Sequence, residues 1–185
     1  MTVSETQTRD GGGQSAGDQS VDGRSGDGLD RRDLLTAGGF VLLVNVVGAS
    51  GTLLGGPGSA WFESLTKPWF YPPGWAFGVA WTALFSLLGV ALWLVWRRGT
   101  DSREVRVALG AFAGQMVLNL AWTPAFFSLQ QPLVALGIIL ALWLAILGTM
   151  AAFRRVSRRA ALLLVPYLLW VSFAAVLNFE LWRLN

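Results

Sequence analysis

Tryptophan and amide side chains inside long uncharged stretches are the residues of this chain that could do chemistry. Trp81 lies about 9 Å deeper than Trp75 at the 1.5 Å rise of a helix. Asn119 and Trp122 lie at a similar depth in another stretch, and Trp170 lies near the middle of a third. Indoles stack on flat apolar ligands and amides hydrogen-bond to them. The pattern predicts an aromatic pocket, with plain helix packing as the alternative.

Other kinds of chemistry are poorly represented. The chain has no cysteine and no histidine, which excludes thiol nucleophiles, disulfides, the usual zinc sites and the usual axial ligands of haem iron. We therefore expect no metal site and no required cofactor. Glu63, before the second stretch, and Glu180, after the fifth, are single carboxylates and no carboxylate lies inside the stretches, so a catalytic carboxylate pair is not supported.

Two amides share one face of the third stretch. Gln115 and Asn119 are spaced i, i+4, in a segment where an unpaired polar group is costly. Ligand contact and interhelical hydrogen bonding are both open for Asn119. For Gln115, one turn deeper, interhelical hydrogen bonding is favoured.

Five uncharged stretches must position these residues. They cover 34–54, 74–96, 107–127, 132–153 and 160–179, the last extending to about 182. Each can cross a bilayer core of about 30 Å as a helix, and none shows the alternation of a strand. With 54% hydrophobic and 14% charged residues, the chain predicts an all-α membrane protein, a bundle of five transmembrane helices over residues 33–185.

Residues 1–32 differ in composition. They are rich in Gly, Ser and Asp, net acidic and without aromatic residues, which predicts a disordered acidic tail. The first long apolar run begins only after Arg31 and Arg32, so we expect no cleaved signal peptide.

Basic residues segregate to one side of the predicted topology. By the positive-inside rule, this predicts a multi-pass protein of the cell membrane with a cytoplasmic N-terminus and an external C-terminus. Short juxtamembrane loops favour lipid over nucleic acid as partner. The segregated arginines are Arg31, Arg32, Arg97, Arg98, Arg103, Arg106, Arg154, Arg155, Arg158 and Arg159, against Lys67 and Arg183 on the other side.

The remaining aromatic and small residues suggest contacts with lipid and with a second chain. Gly110 and Gly114 form a GxxxG pattern, which favours either a homodimer interface or close internal packing. Tryptophans at the ends of the stretches are expected to anchor in the headgroup region. These are Trp61, Trp69, Trp75, Trp93, Trp96 and Trp182.

The loop before the second stretch has the most specific sequence. Its motifs and those that follow resemble the TspO/MBR family of tryptophan-rich sensory proteins and translocator proteins. They are Trp61-Phe62, Leu65-Thr66-Lys67-Pro68, Pro72-Pro73-Gly74-Trp75, Trp81, Gln115, Asn119, Trp122, Pro166-Tyr167-Leu168-Leu169-Trp170 and Phe173 to Asn178.

The resemblance implies a five-helix bundle, often dimeric, that binds porphyrins and related hydrophobic ligands. It places pocket residues at Trp81, Asn119, Trp170, Ala174 and Leu177, to which the depth argument adds Trp122. A loop after the first helix would close the pocket. Its predicted lid residues are Trp61, Lys67, Pro68, Pro72 and Pro73.

Three functions are open at this point. The first is a tetrapyrrole-binding membrane sensor, regulator or carrier. The second is a light- and oxygen-dependent protoporphyrin-degrading enzyme, for which Trp81 and Trp170 are the candidate catalytic residues. The third is a structural membrane partner without a small ligand. Cholesterol binding is not expected, because the tyrosine of the animal motif is replaced by Glu180.

Overall fold

The computed structural model describes residues 30–56 and 58–185. Most of the predicted tail, residues 1–29, lies outside the described residues. The first helix begins at Arg31, where the Asp30 carboxylate accepts a hydrogen bond from the Arg31 backbone N–H. The last two residues assigned to the tail, Arg31 and Arg32, are therefore helical.

The described residues form helices and no strand. Five helical spans are long and apolar enough to cross a membrane, which confirms the predicted five-helix architecture. The helices are α1 (Arg31–Ser50), α2 (Ala60–Ser64), α3 (Gly74–Trp96), α4 (Arg103–Thr123), α5 (Pro132–Val156), α6 (Arg158–Leu163) and α7 (Val165–Leu184), with a 3₁₀ turn at Gly51–Leu54 and a π-helical turn at Pro124–Ser128.

Several helices begin at a capping residue and not at the charged residue that bounded the predicted span. α4 begins four residues before the predicted 107, because the Ser102 side chain accepts a hydrogen bond from Val105 N–H and fixes the start one turn earlier. The Ser157 side chain caps α6 in the same way, accepting from Ala160 N–H. Arginines near the headgroups can be helical, so a rule based on charge-free residues shortens these spans.

Two prolines reshape the spans that contain them. After Pro124, the Leu129 N–H donates to the Pro124 carbonyl at 2.9 Å, an i to i+5 bond of the π-helical turn. Near Pro166, the fifth span is interrupted at Leu164 and divides into α6 and α7. Proline lacks the N–H that would continue the helical ladder, which explains the interruption.

The spans pack in the order α1, α3, α6–α7, α5 and α4, with α4 returning to α1. α1 and α3 approach closely at Gly89, where an added Cβ would lie 2.5 Å from the Cα of Val41. α3 packs against α6, whereas the backbones of α3 and α7 lie apart. The space between α3 and α7 lies in the half of the bundle away from the arginines.

The arginine-rich end is where α1 and α4 begin and α3 and α5 end. An ion pair between Arg97 and Asp33, 3.0 Å long, joins α3 to α1 there. The Arg97 guanidinium also lies 4.6 Å from the ring centroid of Trp93. Trp93 is only 5% exposed, so its prediction as a lipid anchor was wrong: it packs inside the bundle.

Candidate functional site

A cavity of about 430 Å³ lies in the half of the bundle opposite the arginine-rich end. Side chains from α1, α3, α4, α5 and α7 form its walls, together with the π-helical turn. Phe62 of α2 and Tyr71 of the following loop contribute to its wall at the end of the bundle. Its volume falls within the range of small-molecule pockets, about 300–1,000 Å³.

The residues chosen from depth and resemblance converge on this one cavity. Trp81 comes from α3, Asn119 and Trp122 from α4, and Trp170 from α7. Three helices thus bring indole and amide side chains to the same cavity. The six predicted ligand residues that line the cavity are Trp81, Asn119, Trp122, Trp170, Ala174 and Leu177.

Aromatic rings form a connected wall between α3 and α7. The ring centroids of Trp81 and Trp170 are 6.4 Å apart, with an interplanar angle of 82°. Phe77 meets Trp170 edge to face at 5.9 Å, and Phe85 stacks on Trp81 at 5.2 Å. These contacts bridge the gap where the two backbones separate, so the wall consists of side chains and can adjust by rotamer changes.

Two of the polar groups at the cavity already form hydrogen bonds between helices. The Asn119 amide nitrogen donates to the Tyr167 hydroxyl at 2.9 Å, linking α4 to α7. The Trp122 indole N–H donates to the Asn178 side-chain oxygen at 3.0 Å. Asn178 in turn donates to the Pro132 carbonyl at 2.8 Å, which ties α7 to the start of α5. Asn119 therefore both lines the cavity and joins helices.

Trp170 is different, because its indole N–H is buried and has no hydrogen-bond partner among the described residues. Trp170 also lines the cavity. An unpaired buried donor costs about 1–3 kcal/mol relative to a paired one. A ligand atom that accepts this hydrogen bond would recover that free energy.

Gln115 does not form the expected interhelical hydrogen bond. Its side chain is 0% exposed, and neither its amide nitrogen nor its amide oxygen has a partner among the described residues. It does not line the cavity. The two amides of the i, i+4 pair therefore differ: Asn119 forms a hydrogen bond with Tyr167, whereas Gln115 forms none with the described residues.

The described lining contains no Asp, Glu, Lys or Arg side chain. Tyr71, in the loop that reaches the cavity, contributes an ionisable hydroxyl to the lining. Burial raises the pKa of the Tyr71 hydroxyl. Tyr71 therefore stays neutral at pH 7 and can donate or accept a hydrogen bond. This arrangement suits a neutral, aromatic ligand surface and offers no acid–base pair.

The predicted lid residues lie beside the cavity and not in its wall. The Lys67 ammonium folds back on α2, donating to the carbonyls of Phe62 at 3.1 Å and Glu63 at 3.2 Å. Trp61 packs edge to face on Phe126, with centroids 5.7 Å apart. Phe62, held beneath the ammonium at 5.1 Å, is the residue of α2 that reaches the cavity.

The prolines of this loop shape its turns. The Pro68 carbonyl accepts from Tyr71 N–H at 3.0 Å, and the Pro73 carbonyl accepts from Ala76 N–H at 2.9 Å at the start of α3. Pro72 lies between them, outside any helix or turn. The turn at Pro68 positions Tyr71 toward the cavity.

The C-terminal residue also fastens this loop. The Asn185 side-chain oxygen accepts from Thr66 N–H at 2.8 Å, and its nitrogen donates to the Thr66 carbonyl at 3.1 Å. The same nitrogen lies 2.9 Å from the Leu181 carbonyl of α7. The loop is thereby held to the helix that carries Trp170.

The two glycines proposed for dimerisation lie on an open face of α4. Gly110 and Gly114 are exposed, and a Cβ added at either would meet no atom within 4 Å. Internal packing therefore does not use this GxxxG pattern. The face remains available to a second chain or to lipid.

Comparison with known proteins agrees with the fold and the motifs. The model of the TspO/MBR family matches residues 40–183, most of the chain. The chain belongs to the TspO/MBR family. The match covers the described cavity and the loop beside it, and leaves out the acidic N-terminal residues.

Relatives within the TspO/MBR family come from bacteria and animals. The chain is 45% identical to the tryptophan-rich protein TspO of Chlorobaculum tepidum over 83% of this chain and 98% of the relative. It is 41% identical to the translocator protein of Ovis aries, over 80% and 88%. It is 39% identical to the tryptophan-rich sensory protein of Cereibacter sphaeroides, over 68% and 77%.

Several residues of this TspO/MBR cavity escaped sequence reasoning. Phe77 and Phe85 lie four residues on either side of Trp81 and so on the same helix face, a spacing that could have identified them. Asn178 of the lining, and Tyr167, which contacts the lining residue Asn119, lie inside quoted motifs, but no spacing rule pairs them with partners on α4. Those pairings depend on how the helices cross.

Proposed function

We propose that this TspO/MBR protein binds porphyrins and related tetrapyrroles within the membrane, as a sensor, regulator or carrier. Family membership supports the broader role of a membrane sensor or translocator. The observation that carries the proposal is the aromatic cavity lined by Trp170, whose buried indole N–H has no partner among the described residues. Its lining matches the chemistry of a flat, largely apolar macrocycle with few hydrogen-bond acceptors.

In this proposal, the tilted rings of Trp81 and Trp170 contact the macrocycle, and the Trp170 N–H donates to one of its acceptors. Ala174 and Leu177 supply apolar contact on the next turns of α7. Because no cation lines the described cavity, the carboxylates of a porphyrin would extend toward its opening and remain solvated. The loop carrying Phe62 and Tyr71 would close over the ligand.

Titration with protoporphyrin IX in the dark tests this proposal. Purified protein in detergent should show saturable quenching of tryptophan fluorescence at micromolar porphyrin, with unchanged porphyrin absorbance. Replacing Ala174 with Phe should fill the cavity and abolish saturation. Absence of saturable quenching in the unmodified protein would leave a structural membrane partner as the remaining function.

A second candidate, light- and oxygen-dependent degradation of protoporphyrin, is favoured by the proximity of the two indoles. Trp81 and Trp170 are in edge-to-face contact at the cavity wall, close to any bound macrocycle. Illumination in air should then bleach porphyrin only in the presence of the protein. The double variant Trp81→Phe with Trp170→Phe should bind porphyrin more weakly, and if the enzyme hypothesis is correct it should show no bleaching even at a porphyrin concentration that saturates it.

We also infer that the arginine-rich end faces the cytoplasm, following the positive-inside rule. The cysteine-free chain allows a clean test with single introduced cysteines. A membrane-impermeant maleimide on intact cells should label Ser64→Cys, and should label Thr100→Cys only after lysis. The unmodified protein is the blank, and the opposite labelling pattern would reverse the orientation.

A further inference from the structure

A second concavity lies at the arginine-rich end, far from the aromatic cavity. This groove between α4 and α5 has a volume of about 480 Å³. Its rim carries the charged side chains Arg103, Glu104 and Arg155. In the described part of the chain, neither guanidinium forms an ion pair or a side-chain hydrogen bond with protein. The rim therefore has an excess positive charge without a protein counterion.

Helix electrostatics explain some of these charges and leave one unexplained. Glu104 lies in the first turn of α4 and Arg155 in the last turn of α5, where a helix dipole stabilises each sign. Arg103, at the first position of α4, has the sign that the helix N-terminus disfavours. An anion in the groove would compensate Arg103, Arg155 and the positive helix end together.

The floor of the groove is apolar and continues into the membrane-facing surface. It is formed by Val107, Gly148, Ala151 and Ala152. Val107 is 54% exposed, and a Cβ at Gly148 would meet no atom within 4 Å. Gly148 lies seven residues before Arg155, about 10 Å deeper along the helix. A bound molecule would thus meet guanidinium groups at one end and small apolar side chains below.

We propose that this groove binds the headgroup and glycerol region of an anionic phospholipid. Positive charge above an apolar floor complements a phosphate attached to acyl chains, and basic pockets between transmembrane helices recognise such headgroups. Arg103 and Arg155 hold the phosphate, and the gap at Gly148 admits the start of an acyl chain. A free phosphate would use the guanidinium groups but gain nothing from the floor. This site is independent of the aromatic cavity and of the ligand proposed for it.

Native mass spectrometry of the full chain in neutral detergent, titrated with phosphatidylglycerol, tests this inference. The unmodified protein should retain phosphatidylglycerol in preference to phosphatidylcholine. The double variant Arg103→Gln with Arg155→Gln should bind it about tenfold or more weakly, because two basic contacts are lost. Glu104→Gln should bind more tightly, since it removes the opposing charge from the rim.

A matched control separates the groove from general positive charge. Arg154→Gln with Arg159→Gln removes the same charge from the same end, at exposed residues that do not line the groove. Its phosphatidylglycerol affinity should be unchanged. Equal losses in both double variants, or no loss in either, would refute a site in the groove.

Two further measurements complete the test. Glycerol phosphate, which carries the anion without acyl chains, should not displace phosphatidylglycerol at equal concentration. If it competes equally well, the ligand of the groove is a soluble anion and not a lipid. Val107 of the groove precedes Gly110 of the GxxxG pattern by one helical turn, so the groove lies next to a candidate interface between two chains. The oligomeric state is therefore read from the same spectra. A loss of lipid seen only in species that change oligomeric state would assign the lipid to a subunit contact.

Discussion

At the residue scale, Trp170 combines a ring that forms part of the cavity wall with an indole N–H that lacks a hydrogen-bond partner in the described part of the chain. Trp122 lines the same cavity, but its N–H is committed to Asn178. Unlike the N–H of Trp122, the N–H of Trp170 is not committed to a described protein acceptor. Its contribution to ligand binding should therefore include a hydrogen bond in addition to ring contact.

We expect Trp170→Phe to weaken dark binding of protoporphyrin IX about fivefold, because a net hydrogen bond contributes on the order of 1 kcal/mol. Direct porphyrin difference spectroscopy should measure the change, since loss of an indole also alters fluorescence. Trp69→Phe, at a side chain that is 96% exposed, is the matched control and should bind normally. Unaltered affinity in Trp170→Phe would show that the N–H makes no ligand contact.

Gln115 and Asn119 provide a second residue-scale comparison, because Asn119 alone of these two buried amides has a side-chain hydrogen bond within residues 30–56 and 58–185. We expect Gln115→Leu to leave the thermal unfolding midpoint unchanged or raised, since the substitution removes a buried group without a protein partner. Asn119→Leu should lower the midpoint by the equivalent of about 1–3 kcal/mol, because it strands the buried Tyr167 hydroxyl. Equal destabilisation by both would mean that Gln115 is satisfied by bound water.

At the scale of elements, the contact between α1 and α3 depends on an absent side chain. A Cβ at Gly89 would lie 2.5 Å from Val41 Cα and 2.9 Å from the Phe40 carbonyl oxygen. These are backbone atoms that no rotamer change can move. We expect Gly89→Ala to lower thermal stability by about 1–3 kcal/mol through overpacking.

The control for this prediction is Gly137→Ala on α5, an exposed position where a Cβ meets no atom within 4 Å. Alanine has the higher helix propensity, so this variant should be as stable as the parent or slightly more so. Thermal unfolding of both variants in one detergent provides the comparison. Similar midpoints for the two would indicate that α1 shifts to accommodate the methyl group.

The elements also show how far sequence reasoning reached. Absence of charge located the spans, because hydrocarbon excludes unpaired charge, and α3 matches its predicted range of 74–96. Cap residues such as Ser102 decided the other ends. Counting residues along each helix predicted a similar depth for Trp81 and Trp170. Such a count does not give the rotation of a helix about its axis. The pairing of Asn119 with Tyr167, and the burial of Trp93, depend on rotation and crossing angles that periodicity in uniformly apolar helices does not specify.

At the scale of the whole molecule, one face of α4 has no neighbour among the residues that the structure describes. Gly110, Gly114 and Val117 recur at helical spacing along this face and are all exposed. The absence of side chains at the two glycines allows another helix to approach closely. We infer that two copies of the chain associate through this face, with van der Waals contact as the main attraction.

Replacing Gly110 and Gly114 with Leu tests that association. The added side chains project into open space in the monomer, so the fold and dark porphyrin binding should persist, while the dimer should dissociate because the helices can no longer approach. Light scattering coupled to gel filtration in detergent measures the mass. Gly137→Leu, another open position on α5, should leave the dimer intact. A double variant that stays dimeric would place the interface elsewhere, whereas loss of porphyrin binding together with the dimer would show that the cavity requires the second chain.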